Sequence, residues 1–339
     1  MTLKEMGEEL GVSPSTISKV LNGCQKNFTI PQELRERILN HVDECGYSPN
    51  PVFRSMRVNR NRQIACFFYS RSSFKTGNTV EIAVDEAIKY LELLDYEIYY
   101  QFCTRARKVG YPQPNWKVAG ILIPDTVSTD QLAALEAKKQ VYVAINGITG
   151  PEGIAVQSDE TANMTLALEH LLELGHRRIA YVQACPPVQN NPEHYSTRER
   201  PDAYCAFMRK HNLEPLMIPA GFQDTGWIGE VFAAKPTAVI SGNETTGMTL
   251  YRAAYERGVR IPEAMSLLVF NDTEFLALAT PSVSAIRIPA REMGKLAGRL
   301  LEKKIATPSY ECGKVYRLPG ELILRESTAE PLKPSTSKR

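Results

Sequence analysis

The sequence predicts an all-α helix-turn-helix head followed by an α/β core of doubly wound parallel sheets in two lobes. Three observations carry that reading. Residues 2–22, TLKEMGEELGVSPSTISKVLN, hold two short amphipathic patterns separated by a glycine. From Cys45 to Val80 there is no Asp or Glu, yet Arg54, Arg57, Arg60, Arg62, Arg71 and Lys75 fall there. From Gln63 onward, short apolar runs alternate with amphipathic helical patterns, as parallel strands joined by helices require.

In the head, Thr2 and Glu5 have capping-box spacing, and Leu3, Met6 and Leu10 follow at helical intervals. Gly11 can take the positive φ that ends this helix. Ser13 and Pro14 read as N-cap and first residue of a second helix, which Ile17, Val20 and Leu21 give one apolar stripe and Asn22-Gly23 stops. Its other face offers Pro14, Ser15, Ser18 and Lys19, which suits a helix whose first turns approach base edges in a major groove. An ordinary helical hairpin would show the same stripe, so context must decide. Thr29 and Gln32 make a second box around Pro31, Leu34, Ile38 and Val42 continue a third helix, Glu33 can pair with Arg37, and Gly46 closes it.

The next stretch starts at Tyr47. Asn50 can cap and Pro51 can open a short helix to about Val58, with Val52, Phe53 and Met56 apolar and Arg54, Arg57 and Arg60 basic. Two turns are unstable alone in water, so this piece reads as a hinge that becomes helical on a partner, laying arginines on phosphates and an apolar side chain in a minor groove. A flexible basic tether is the alternative.

In the core, strands are expected over 64–69, 96–102, 118–123, 141–145, 179–183, 238–241 and 267–270. Helices are expected over 80–94, 129–139, 161–174, 198–211, 244–256 and 291–304. The series suffices for two lobes, with ligands placed beyond the carboxyl ends of the strands. The tail 331–339, PLKPSTSKR, reads as disordered.

At 339 residues and 43% hydrophobic the chain can bury a large core, while a net charge of +2 does not by itself argue for nucleic acid. Seven scattered cysteines without a C-x-x-C pair form no disulfide framework. No secretory h-region or membrane-length apolar run occurs, so a cytoplasmic location is expected. Dinucleotide, Walker, H-E-x-x-H and G-x-S-x-G motifs are missing. His41, His170, His176, His194 and His211 show no evident metal-ligand spacing with the cysteines, and His176 reads as a turn residue. No catalytic residue, cofactor or metal site is expected. A small-molecule sensor without a DNA role is the remaining competitor.

With these parts in order, the chain resembles the lactose repressor/galactose repressor family of transcription regulators over nearly its whole length. TLKEMGEELGVSPSTISKVLN is similar to that family's opening, YSPNPVFRSMR to its hinge entry, HLLELGHRRIAYV to its mid-chain segment, SLLVFNDTEF to its late strand-loop and LILREST to its ending. The resemblance implies domains at 1–48 (helix-turn-helix), 49–61 (hinge helix) and 62–330 (periplasmic-binding-protein-like effector and dimerisation core). It further implies a homodimer on double-stranded operator DNA, with a sugar or sugar derivative as effector between the lobes. By motif position, the DNA contacts would be Thr2, Ser13, Pro14, Ser15, Thr16, Ser18, Lys19 and Asn22 in the head, with Asn50, Arg54, Met56 and Arg57 in the hinge. Met56 would be the minor-groove wedge, where the family usually has Leu. Effector contacts would be Arg200, Asn243, Asn271, Asp272, Tyr69 and Asn146. Asn271 stands where the family has an acid, which tilts the expected effector toward a sugar acid or phosphosugar. Between Phe102 and Val118 the family fits a crossover helix, whereas CTRARKVGYPQPNWK carries Pro112 and Pro114 and is not expected to form a full one.

Overall fold

The computed structural model describes residues 2–21, 30–47, 61–68, 79–102, 117–125, 127–184, 194–221 and 225–332. The chain divides into two units, Met1–Asn61 and Arg62–Arg339.

In the first unit, α1 (Leu3–Leu10) starts with the expected capping box: Glu5 N–H donates to Thr2 Oγ1, and Thr2 N–H donates to Glu5 Oε2 at 2.8 Å. Gly11 ends it with φ 67°. Gly7 is required by close approach, since a Cβ there would lie 2.7 Å from the Val12 carbonyl oxygen in the turn that starts α2 (Pro14–Leu21). Ser13 Oγ accepts from Thr16 N–H at 3.1 Å, as an N-cap should. Helix α3 (Gln32–Glu44) departs from expectation at two points. Its N-cap is Pro31, which makes no side-chain cap bond, and Thr29 lies outside the described residues. Arg37 does not pair with Glu33; it donates instead to the Leu10 carbonyl at 2.5 Å, satisfying an orphan acceptor at the end of α1. Met6, Ile17, Val20, Ile38 and Val42 form the buried centre.

The second unit holds two six-stranded sheets. Its elements begin with β1 (Gln63–Phe68), α4 (Thr79–Glu92), β2 (Glu97–Phe102), β3 (Gly120–Pro124), α5 (Thr129–Ala137), β4 (Tyr142–Ile145) and β5 (Ile154–Ser158). Next come α6 (Glu160–Glu173), β6 (Ile179–Ala184), α7 (Ser196–Lys210), β7 (Leu216–Ala220), α8 (Gly226–Ala234), β8 (Ala238–Ser241) and α9 (Glu244–Glu256). The series ends with β9 (Ser266–Phe270), α10 (Glu274–Leu278), β10 (Ser284–Arg287), α11 (Ala290–Ala306), β11 (Lys314–Leu318) and β12 (Glu321–Ile323). The first sheet has the order β11-β5-β4-β3-β1-β2, all parallel. The second has the order β12-β10-β9-β8-β6-β7, parallel except for antiparallel β12.

The fully buried strands read as continuous apolar runs, as strands covered on both faces must. The chain passes between lobes three times: from β5 into α6, from β10 into α11, and from β11 into β12. Helix α11 follows a strand of the second lobe yet packs on α4 and the first sheet. Gly294 makes this possible, because a Cβ there would sit 2.0 Å from the Ala83 carbonyl oxygen. The hinge 49–60, residues 103–116 and tail residues 333–339 lie outside the described residues. No helix among the described residues is long and apolar enough to cross a membrane.

Candidate functional site

The carboxyl ends of strands from both sheets meet around a cavity of about 390 Å³, within the usual range for small-molecule sites of about 300–1,000 Å³. From the first lobe come Asp125 after β3 and Asn146 after β4, with Glu160 at the start of α6, where the chain crosses into the second lobe. From the second come Gly242, Asn243 and Glu244 after β8, Asn271 and Thr273 after β9, and His194, Ser196 and Arg200 around the start of α7.

Arg200 sits on this wall, but it is 7% exposed and much of its hydrogen-bonding capacity is already used. Its Nε donates to Glu160 Oε2 at 2.6 Å, Nη2 to Glu160 Oε1 at 3.2 Å and Nη1 to the Gly242 carbonyl at 2.6 Å. The guanidinium also lies over the Phe270 ring, 4.3 Å from its centroid. Burial works against its charge, but the facing Glu160 carboxylate outweighs burial and raises the Arg200 pKa. Of five N–H groups, two are left for a ligand.

The other expected contacts divide. Asn243 is the N-cap of α9, its Oδ1 accepting from Thr246 N–H at 2.8 Å, so its amide NH₂ and the second lone pair of Oδ1 are left to meet a ligand. Asn271 adopts φ 69° and donates from Nδ2 to Glu244 Oε2 at 2.9 Å. Asn146 also lines the cavity, and it latches the lobes: Tyr195 Oη donates to its Oδ1 at 2.9 Å, and its carbonyl meets His194 Nε2 at 2.6 Å. Asp272 does not line the cavity. Its carboxylate is turned to Arg287, which donates to Oδ2 at 2.8 and 3.1 Å, and to Arg325, whose Nη2 lies 2.8 Å from Oδ1 in a contact of charge rather than a directed hydrogen bond. Its role is a buried ion-pair hub, which corrects the expected effector contact. Tyr69 lies outside the described residues.

Glu160 and His194 are not legible as site residues in the sequence, whereas Glu244 stands beside Asn243 in the motif SGNETTG. They change the electrostatics, since three carboxylates (Asp125, Glu160, Glu244) face one guanidinium around the cavity. The wall gives no support to the expected tilt toward an anionic ligand, because Asn271 donates to the Glu244 carboxylate, which keeps a negative charge beside it. Thr273 Oγ1 is buried at the wall with no hydrogen-bond partner among the described residues, an arrangement a ligand hydroxyl would satisfy.

In the head, Pro14 and Ser15 are exposed on α2, with Ser18 and Lys19 half-buried beside them, while Ile17 and Val20 face inward. Thr2 and Ser13 spend their hydroxyls on capping, and Thr16 Oγ1 lies 2.8 Å from Ser13 Oγ. Asn22, Asn50, Arg54, Met56 and Arg57 lie outside the described residues. His176 is no plain turn residue. It is 1% exposed and bonded to Thr237 Oγ1, Ser266 Oγ and the Ala329 carbonyl, and burial lowers its pKa. Nor is metal-ligand spacing missing: His41 and Cys45 stand four apart on one helix face, with Glu9 beside them.

Residues 2–50 match the model of bacterial regulatory proteins, lacI family, and residues 168–328 match that of the periplasmic binding protein-like domain. The NTD biosynthesis operon regulator NtdR of Bacillus subtilis (strain 168) is 22% identical over 338 residues, covering 96% of this chain and 99% of that one. The HTH-type transcriptional regulator GalR of Streptococcus thermophilus is 26% identical over 342 residues, with coverages of 96% and 99%. Among solved structures, the lac repressor dimer bound to operator and the anti-inducer ONPF aligns with a TM-score of 0.78 at 19% identity, covering 97% of this chain and 99% of that one. This last likeness is one of fold.

Proposed function

The chain belongs to the lacI family of bacterial regulatory proteins, and on that premise we propose that it is a sequence-specific DNA-binding transcriptional regulator, acting as a repressor, whose operator affinity is set by a small polyhydroxylated effector held between the lobes. The observation that carries the reading is the presence in one chain of an exposed polar face on α2 and an inter-lobe cavity rich in hydroxyl-binding groups. Pro14, Ser15 and Lys19 read base edges, with Ser18 beside them. Asn50, Arg54, Met56 and Arg57 engage the minor groove and its phosphates. The protein works as a homodimer, as the lac repressor bound to operator does, and in the cytoplasm, where its DNA is. Its task is binding rather than catalysis.

Neutral sugars and their derivatives suit the cleft better than sugar acids or phosphosugars, because an added anion would face Asp125, Glu160 and Glu244 with Arg200 already paired. A thermal-shift screen of neutral sugars, amino sugars, sugar acids and phosphosugars tests this, since a ligand that binds only the folded state raises the melting temperature. The expected result is a neutral or amine-bearing hit that also changes operator affinity. A hit confined to sugar acids or phosphosugars would overturn the ligand class, and a hit that leaves operator affinity unchanged would overturn the regulatory role.

A further inference from the structure

The head carries a second chemical constellation, none of it on the helix assigned to the DNA groove. His41 lies in the last turn of α3 and Cys45 caps that helix four residues later, so both project from one face a turn apart. Glu9, near the end of α1, meets them. Its Oε2 lies 2.9 Å from His41 Nε2, and Cys45 Sγ lies 3.6 Å from the same nitrogen. The three donor atoms all fall within 4.8 Å of one another. A simple Glu–His pair accounts for the first contact but gives no reason for a thiol to share the nitrogen.

The separations can be compared with a known coordination geometry. Zinc bonds of about 2.3 Å to sulfur and 2.0–2.1 Å to imidazole nitrogen or carboxylate oxygen, at tetrahedral angles, set nitrogen and sulfur about 3.5 Å apart and nitrogen and oxygen about 3.3 Å apart. The observed 3.6 Å meets the first value, and the 2.9 Å pair needs only to open slightly around an ion. Side-chain exposures of 20% for His41 and 51% for Glu9 leave a route for an ion and for a water as fourth ligand.

We propose that Glu9, His41 and Cys45 bind one zinc ion that ties the end of α1 to the end of α3. His41 coordinates as a neutral imidazole through Nε2, Glu9 as a carboxylate, and Cys45 as a thiolate whose proton passes to solvent. The charges then sum to zero, since two anionic ligands offset the dication. Relative to a cluster of carboxylate, neutral imidazole and thiol, occupancy with loss of the thiol proton adds one positive charge to the head. Both α1 and α3 contact α2 between them. An ion that binds the folded head and not the unfolded one therefore stabilises the setting of α2 by mass action, and operator affinity rises with zinc.

The test uses the reduced, chelator-stripped full chain titrated with cobalt(II). One equivalent should give the strong visible d–d bands of tetrahedral cobalt together with a near-ultraviolet thiolate-to-cobalt charge-transfer band, and one equivalent of zinc should bleach both. Cys45→Ser should lose the charge-transfer band, and zinc should raise the melting temperature of the parent but not of this variant. His41→Gln should weaken cobalt binding at least tenfold; if that variant unfolds, Cys45→Ser still decides, because it leaves the Glu–His pair in place. Weak octahedral bands only, or a charge-transfer band that survives Cys45→Ser and so arises from another of the seven cysteines, would overturn the proposal.

Discussion

Arg200 and Glu160 form a buried bidentate pair on the cleft wall, and their energetics differ from those of a ligand-binding arginine held in reserve. Removing one partner strands the other charge in a low-dielectric site, so Arg200→Ala should cost about 3–5 kcal/mol in urea unfolding. Replacing both by apolar residues of similar volume, Glu160→Leu with Arg200→Met, should recover most of that stability while ligand-induced stabilisation stays lost. A second prediction concerns Lys19: Lys19→Ala should cost about 1–3 kcal/mol on the specific operator and less on random DNA by fluorescence anisotropy, whereas equal losses would make it a phosphate contact. The third concerns pH. Burial lowers the His176 and His170 pKa below the usual imidazole value of about 6.5, so below that pH the unfolded chain takes up protons that the native state refuses. Stability should therefore fall as pH drops from about 6.5 toward the lowered native values, and His176→Asn should flatten that slope in urea unfolding between about pH 7.5 and 5. At this scale the sequence placed Arg200, Asn243, Asn271 and Asn146 at the cleft but could not reveal their partners. Glu160 is 40 residues from Arg200 and 27 separate Glu244 from Asn271, and no local spacing announces such pairs. Asp272 shows the converse, because adjacency to Asn271 in a loop does not tell which way a carboxylate turns.

Among the elements, the long periodic ones and several short buried strands were legible, while β7, β11, β12, α8 and the interior strands β5 and β10 were not. Strands β1, β3, β4 and β9 are buried apolar runs, and α11 has a clear amphipathic repeat, so each was expected close to its observed limits. Strand β7 contains Pro219, β11 and β12 mix charged with apolar residues on sheet edges, and α8 carries Gly226 and Gly229, which lower helix propensity. Their order is imposed by tertiary pairing, as when β11 pairs with β5 from 160 residues away, Lys314 opposite Ile154. Helix α11 offers the sharpest element-level prediction. Gly294 allows α11 to touch the α4 backbone, so Gly294→Val should push the helices apart and lower stability by about 1–3 kcal/mol by overpacking, measured as a shift in the urea midpoint at unchanged slope.

For the molecule as a whole, the alternation of strands and helices implied two parallel-sheet lobes, and two such sheets are present. The three passages between them were not legible, because nothing in α11 or β11 states to which sheet each returns. That return matters for control. Ser158, the last residue of β5, donates its N–H to Tyr195 Oη, which in turn donates to Asn146, and Arg317 of β11 is paired bidentately with Glu199 of α7 at 2.6 and 2.8 Å. Contacts of this kind span the lobe junction around the cavity, so a ligand that changes the lobe setting must make or break them, which gives the effector a physical route to the rest of the chain. On the proposed function, the chain reads a DNA sequence as a dimer. Selection of bound duplexes from a random library by the full chain tests it most directly. The expected result is enrichment of one pseudo-palindrome, with two half-sites in inverted repeat, that Lys19→Ala binds less selectively. Recovery of no common motif, with equal affinity for all duplexes at near-physiological salt, would contradict it.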